Sequence, residues 1–288
     1  MHGELVDVMT SDRVRLDGFY MAAKGVKDGY LDAAVITHGL SGNFYSSRLL
    51  KYLAAHLVDC GISTVIINTR GHDYLNLTVR SGRSQTLGAA YERVDECPQD
   101  INAWVEFLTT QGHRNVVLLG HSLGAIKTLY AQAHAPCPEV KAVCGLSATR
   151  LSYDALLASP GGDRFSHWLK MAAELVADRR ADELMYVDFP FPTWISASAY
   201  LEKYGAGDQL NWLNFIQQIR VPTWLGFGEL ELAENPAFLG LQGELDQVDE
   251  RLDNITIETI SGADHFYSAR FEAVGRAIDD WMNRCQFC

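Results

Sequence analysis

Six short apolar runs recur along the chain, separated by stretches with helical periodicity, and this alternation limits the fold more than any other feature. The runs are Ala33–Thr37, Thr64–Ile67, Val116–Leu119, Val140–Leu146, Pro222–Phe227 and Ile255–Ile260. Segments that are apolar on both alternating faces belong to a sheet covered on both sides, because neither face can be wet. Between them, Leu49, Leu50, Leu53 and Leu57 mark one helix behind the cap candidates Ser46 and Ser47. Ile101, Trp104, Val105 and Leu108 mark a second, with Pro98 near its first turn, and Phe271, Val274, Ile278, Trp281 and Met282 mark a last one. Strands alternating with helices of this length predict βαβ units: an α/β fold with a mostly parallel sheet flanked by helices. Leu5–Met9 and Val14–Met21 alternate well enough to predict an antiparallel pair at the N-terminus, turning through Ser11-Asp12.

One interval breaks the rhythm. Between the run ending near Ser147 and the one starting near Val221 no strand-like segment is evident, only a helical stripe (Phe165, Trp168, Leu169, Ala172, Leu175, Val176) and the turn Phe189-Pro-Phe-Pro192. Residues 150–215 are therefore expected to form an inserted helical cap on a core made of 1–149 and 216–288. The interval holds eleven of the thirty aromatic residues, an excess that suits an aromatic pocket roof. Residues 71–94, with Arg80, Arg83 and Tyr91, read as a long loop, either functional or disordered.

A chain of 288 residues with 48% hydrophobic and 21% charged content is an ordinary globular chain, which excludes disordered, collagen-like and fibrous classes. Thirty-six acidic residues against 24 basic ones leave a net charge of -12 and no basic patch, so neither nucleic acid nor an anionic membrane surface is an expected partner. The opening Met1-His2-Gly3-Glu4 is not a signal peptide, and no apolar stretch is long enough to span a bilayer, so a cytoplasmic location is expected. There the six cysteines are expected to be reduced thiols, and Cys285-Gln-Phe-Cys288 lacks both the helix start of a redox pair and the further ligands of a zinc site. No cofactor is expected. Oligomeric state leaves no trace in the sequence.

The chemistry concentrates in Gly120-His121-Ser122-Leu123-Gly124, which follows an apolar run and precedes the helical pattern Ile126, Leu129, Tyr130. A Gly-x-Ser-x-Gly string is weak evidence in a chain with 24 glycines, but its context is specific. A tight strand-to-helix turn needs small residues on both sides, and it lifts the serine hydroxyl clear of the sheet edge beside a helix N-terminus. A serine nucleophile requires a base, and the base an acid to orient it. His265 fits the base: it lies in the loop between the last predicted strand and the last helix, on the same sheet edge as Ser122. His121 sits inside the turn and is expected to point away, while His56, His113, His134 and His167 look helical or peripheral. The acid is expected just beyond Pro222–Phe227, with Glu231 the first choice and Glu229 the reserve. Asp264, adjacent to the histidine, suits loop hydrogen bonding better. Backbone N–H groups of Leu123 and of Leu40, in the glycine-containing segment 38–42, are candidate oxyanion donors.

Taken together, His38-Gly39-Leu40-Ser41-Gly42, Arg70-Gly71-His72, Gly120-His121-Ser122-Leu123-Gly124, Gly228–Glu231 and Gly262-Ala263-Asp264-His265 resemble the α/β-hydrolase superfamily, in order and over nearly the whole chain apart from 150–215. The resemblance implies Ser122 as nucleophile, His265 as base, and Leu40 and Leu123 as oxyanion donors. The family's acid is usually an aspartate at the position where this chain has Glu231, a departure that keeps Glu229 in play. The expected activity is hydrolysis of a small-molecule carboxylic ester or lactone through an acyl-enzyme. Thioester, amide and carbon–carbon bond hydrolysis use the same constellation, and a non-catalytic ligand receptor on this scaffold is the alternative from another class. A metalloenzyme is disfavoured, because His72/Asp73 and Asp264/His265 are pairs without a third ligand at metal spacing.

Overall fold

A computed structural model describes residues 2–24, 29–80, 82–238 and 240–287; the side chains of Arg80, Pro236, Asp249 and Glu250 lie outside it as well. The chain opens with strands β1 (Glu4–Met9) and β2 (Arg15–Met21), then β3 (Ala33–Thr37), helix α1 (Arg48–Asp59) and β4 (Ser63–Ile67). A hairpin of β5 (Asn76–Arg80) and β6 (Arg83–Leu87) precedes α2 (Cys97–Thr110), β7 (Val116–His121), α3 (Leu123–His134) and β8 (Val140–Leu146). After β8 come α4 (Tyr153–Ala158), α5 (Gly162–Ala177), β9 (Leu184–Val187), β10 (Thr193–Ser196) and α6 (Ala197–Tyr204). The chain closes with β11 (Thr223–Gly228), α7 (Glu229–Glu234), α8 (Leu241–Arg251), β12 (Ile255–Ile260) and α9 (Phe271–Arg284).

Eight strands form one sheet in the order β1-β2-β4-β3-β7-β8-β11-β12. The β2 strand runs antiparallel to β1 and β4, and every pairing from β4 onward is parallel. The pleat sorts each central strand onto two cores. Val35, Val116 and Leu118 pack on one face with Ile101, Trp104 and Leu108 of α2 and Ile126 and Leu129 of α3. Ile36, Val117 and Leu119 pack on the other with Leu49, Leu50, Leu53 and Leu57 of α1 and Val274, Ile278 and Trp281 of α9. Each fully buried leucine in these layers contributes about 1.5–3 kcal/mol relative to exposure. Burial on both faces is why the runs of β3, β4, β7 and β11 carry no polar alternation.

Two readings from sequence are corrected. The segment after β8 is not purely helical: β9 and β10 form a two-stranded antiparallel sheet. That segment buries a cluster of its own, with Phe165, Val187, Phe189, Ile195 and Tyr200 at its centre. The stretch 71–94 is not a featureless loop, because β5 and β6 pair antiparallel inside it. Cys285 is half-buried and Cys288 lies outside the described residues. No helix among the described residues is long and apolar enough to cross a membrane.

Candidate active site

Parallel order brings the carboxyl ends of β3, β7, β8 and β11 to one edge, and each loop leaving that edge delivers a functional group. At the end of β7 the chain reverses into α3 through Ser122, held at φ 57°, ψ -124°. A non-glycine residue rarely adopts this backbone, so the surroundings must impose it. They do so through crowding. A Cβ on Gly120 would fall 2.1 Å from the carbonyl oxygen of Gly124, and one on Gly124 would fall 2.5 Å from the carbonyl oxygens of Thr37 and His38. The Ser122 N–H donates to Leu146 O on β8 (2.8 Å), which fixes the turn to the neighbouring strand.

The loop after β12 brings His265 over this turn. Its Nε2 lies 3.0 Å from Ser122 Oγ and its Nδ1 lies 2.7 Å from Glu231 Oε2. Glu231, in the first turn of α7, is 2% exposed. Its second oxygen, Oε1, accepts from the Gly228 N–H and the Ser147 hydroxyl, each at 2.7 Å. The Tyr267 hydroxyl lies 2.9 Å from Ser147 Oγ and donates to Gly226 O. The buried carboxylate therefore has both oxygens occupied, one by two fixed donors and one by the imidazole. A neutral imidazole with its proton on Nδ1 presents a free lone pair on Nε2 to the serine, the arrangement that general-base activation requires.

Glu229 is not part of this chain. It is exposed, and its Oε2 accepts from the Ser261 hydroxyl (2.9 Å) and the Gly262 N–H (2.7 Å), so it braces the loop that carries His265. Those two donors hold its carboxyl below the ordinary value. Asp264 does what its position suggested, accepting from the N–H groups of Phe266 (3.0 Å) and Ser268 (2.9 Å). His121 corrects an expectation: it does not turn away from the site. Its Nε2 donates to His265 O (2.7 Å) and the two rings lie 5.0 Å apart. Burial, reinforced by the neighbouring imidazole, pushes its pKa down to about 4, so it is a neutral prop beneath His265.

Leu40 and Leu123 flank Ser122, and among the described residues neither backbone N–H has a hydrogen-bond acceptor. The segment that carries Leu40 is locked by His38, whose sequence context gave no hint of the role. His38 Nδ1 donates to Gly39 O (2.7 Å), and Nε2 accepts from the Thr69 N–H (3.2 Å). Burial, with the Lys127 charge nearby, pushes the His38 pKa down to about 3, which keeps one donor and one acceptor on the ring. Behind it lies a buried ion pair: Lys127 Nζ sits 2.5 Å from Glu92 and donates to Thr69 Oγ1 (2.9 Å), while Lys203 of α6 donates to Glu92 O.

Ser122 and Leu40 border two cavities. One, of about 540 Å³, runs between the sheet edge and the segment after β8, lined by Leu123, Leu156, Phe189, Phe191 and Tyr204. The other, of about 860 Å³, is more open and is lined by Ser47, Leu50, His121, Phe266 and Phe271. A larger cavity of about 930 Å³ lies against the β5–β6 hairpin, away from Ser122.

A parallel sheet whose carboxyl edge carries a strained serine, an imidazole and a buried carboxylate in hydrogen-bond sequence defines a hydrolase-type architecture. The family model described as "Alpha/beta hydrolase family" matches residues 34–281, and the chain belongs to that family. Among solved structures it is similar to the alpha/beta hydrolase GrgF from Penicillium sp. sh18, with 17% identity, 99% of each chain covered and a TM-score of 0.72. It is also similar to Est1E from Butyrivibrio proteoclasticus (15% identity, 97% of this chain and 98% of that one, TM-score 0.63). The esterase domain of a Rhodothermus marinus protein gives 18% identity, 99% of each chain and a TM-score of 0.62. The search of curated proteins returned no match.

Proposed function

We propose that the protein hydrolyses a carboxylic ester or lactone of a small molecule through an acyl-enzyme, with Ser122 as nucleophile, His265 as base and Glu231 as the orienting acid. The observation that carries this reading is the unbroken chain Ser122 Oγ–His265–Glu231 at 3.0 and 2.7 Å, opening onto a cavity on each side. Ser122 Oγ attacks the carbonyl carbon while His265 Nε2 takes its proton. The carbonyl oxygen becomes an oxyanion, and the Leu40 and Leu123 N–H groups are the donors for it; one such donor is worth about 10²–10³ in rate. Collapse of the tetrahedral intermediate breaks the bond to the alcohol oxygen, which leaves with the proton held by His265. Water then adds to the acyl-serine, giving its proton to His265; collapse breaks the acyl–Oγ bond, His265 returns the proton to Ser122 Oγ, and the acid is released.

Residues 150–215 act as a cap on a core of 1–149 and 216–288, and the 540 Å³ cavity beneath them, lined by apolar and aromatic side chains, suits the acyl group. An ester is favoured over an amide because an alcohol leaving group makes the smaller demand on the acid step. A receptor would have no need of the strained backbone at Ser122 or of a carboxylate buried at 2% exposure. The test is turnover of a short-chain aryl ester, together with labelling by a fluorophosphonate. Ser122→Ala is expected to lower kcat by about 10⁴-fold or more and to abolish labelling. Equal rates in the two proteins would remove the proposal.

A further inference from the structure

Away from the proposed catalytic edge, α1 and α9 pack side by side on the same face of the sheet, and three metal-binding side chains meet where they touch. His56 lies in the last turn of α1, Cys60 caps that helix one turn on, and Asp279 faces them from α9. All three are half-buried, and one ligand atom from each lies within 4.8 Å of the others. His56 Nε2 is 3.0 Å from both oxygens of Asp279, Cys60 Sγ is 4.0 Å from His56 Nε2, and Cys60 Sγ is 3.8 Å from Asp279 Oδ1.

From these distances we infer that His56, Cys60 and Asp279 form a three-residue zinc site that clamps the end of α1 to α9. Tetrahedral zinc with bonds near 2.0–2.1 Å to nitrogen and oxygen and 2.3 Å to sulfur sets ligand–ligand edges of about 3.3 Å (N–O) and about 3.6 Å (N–S and O–S). The observed edges differ from these by no more than half an ångström. Closing that gap takes small side-chain rotations and leaves the backbone in place. The imidazole is already placed: it stacks on Tyr52 at an interplanar angle of 9°, and Gly275 leaves room for the ring, since a Cβ there would come within 3.3–3.4 Å of Nε2, Cδ2 and Cε1.

The donor set fits the ion. Thiolate with imidazole selects zinc over magnesium or calcium, which prefer oxygen ligands throughout. A neutral imidazole, a thiolate and a carboxylate carry two negative charges, which a divalent cation neutralises, and a water molecule completes four-coordination. Binding releases the Cys60 thiol proton, and the imidazole proton now shared with Asp279 moves to Nδ1. The clamp bears on the 860 Å³ cavity, because Ser47, Leu49 and Leu50 at the start of α1 and Phe271 at the start of α9 line it.

Cobalt(II), a spectroscopic surrogate, tests the site directly. Titration of the full chain is expected to give one equivalent of bound cobalt with tetrahedral visible bands and a thiolate-to-metal charge-transfer band, both displaced by zinc. Cys60→Ser should remove the charge-transfer band, and His56→Gln or Asp279→Asn should weaken binding by about 10- to 100-fold or more. Cys285→Ser should leave the spectrum unchanged, and so should Ser122→Ala, which separates this site from the proposed catalytic one. If Cys60→Ser does not fold, His56→Gln reads the same site. Absence of the charge-transfer band at saturating cobalt, or its survival in Cys60→Ser or in His56→Gln at stoichiometric metal, would overturn the inference and leave a hydrogen-bonded helix contact.

Discussion

Two chains of buried charge lie under the same sheet edge, and they are built alike but end differently. One runs from Glu92 through Lys127 and Thr69 to His38 and the Leu40 segment, linked by an ion pair and hydrogen bonds at each step. Burial alone would raise the Glu92 carboxyl, yet Lys127 and Lys203 hold it below its ordinary value. The other runs from Ser147 and Gly228 through Glu231 and His265 to Ser122, and its last atom faces open space in two cavities. The closed chain sets the shape of the Leu40 segment. The open chain leaves the Ser122 hydroxyl, the proposed nucleophile, facing a cavity on each side. Both orient an imidazole with a hydrogen bond on each nitrogen, and only the solvent side differs.

That contrast can be broken by substitution. Glu231→Gln should lower kcat by about 10⁴-fold with the fold retained, because the amide holds the imidazole in the wrong tautomer; steady-state kinetics beside circular dichroism would show it. Lys127→Met should act the other way. It strands Glu92 in the interior and is expected to cost about 3–5 kcal/mol in urea unfolding, with turnover per folded molecule changed far less than in Glu231→Gln.

Acidification separates the two chains again. His121 and His38 have folded-state values of about 4 and about 3, below the 6.5 of an unfolded imidazole. The unfolded chain therefore binds more protons in that window. Stability is at its full value above about pH 6.5 and is lost as pH falls toward about 4, at about 1.4 kcal/mol per pH unit for each group. Urea midpoints measured across this range should lose one such contribution in His121→Asn. The smallest effect belongs to Glu229→Gln, which loosens an exposed brace and should change kcat/KM by no more than about threefold. A larger loss there than in Glu231→Gln would move the acid assignment.

The central strands could be read from sequence because both faces are buried, and the β1–β2 pair from its rough polar–apolar alternation. The bounds of β3 and β8 coincide with their apolar runs because almost no wet face dilutes the signal. Strands β9 and β10 escaped since each is four residues long and turns a large side chain outward, Tyr186 at 52% and Trp194 at 49% exposed. The β5–β6 hairpin escaped for a similar reason, with Leu77 80% exposed among polar neighbours. At the site, the order of loops along one edge pointed to Ser122, His265 and Glu231, which the structure brings into hydrogen-bond sequence while Glu229 lies outside it. The roles of His38 and His121 were not legible, because their partners lie 31 and 144 residues away in sequence. The same holds for the α1–α9 trio: a histidine and a cysteine four apart are visible in the sequence, but the carboxylate 223 residues from His56 is not.

The position of Ser122 and Leu40 on the boundary of both cavities has a kinetic corollary for the proposed reaction. A hydroxyl standing in a doorway between two chambers lets the first product depart by one while the remainder of the molecule stays seated in the other. Water can then arrive through the vacated side without the acyl group having to move. Such a layout makes the two halves of the cycle sterically independent, so bulk added to the departing alcohol should slow the first half and leave the second untouched.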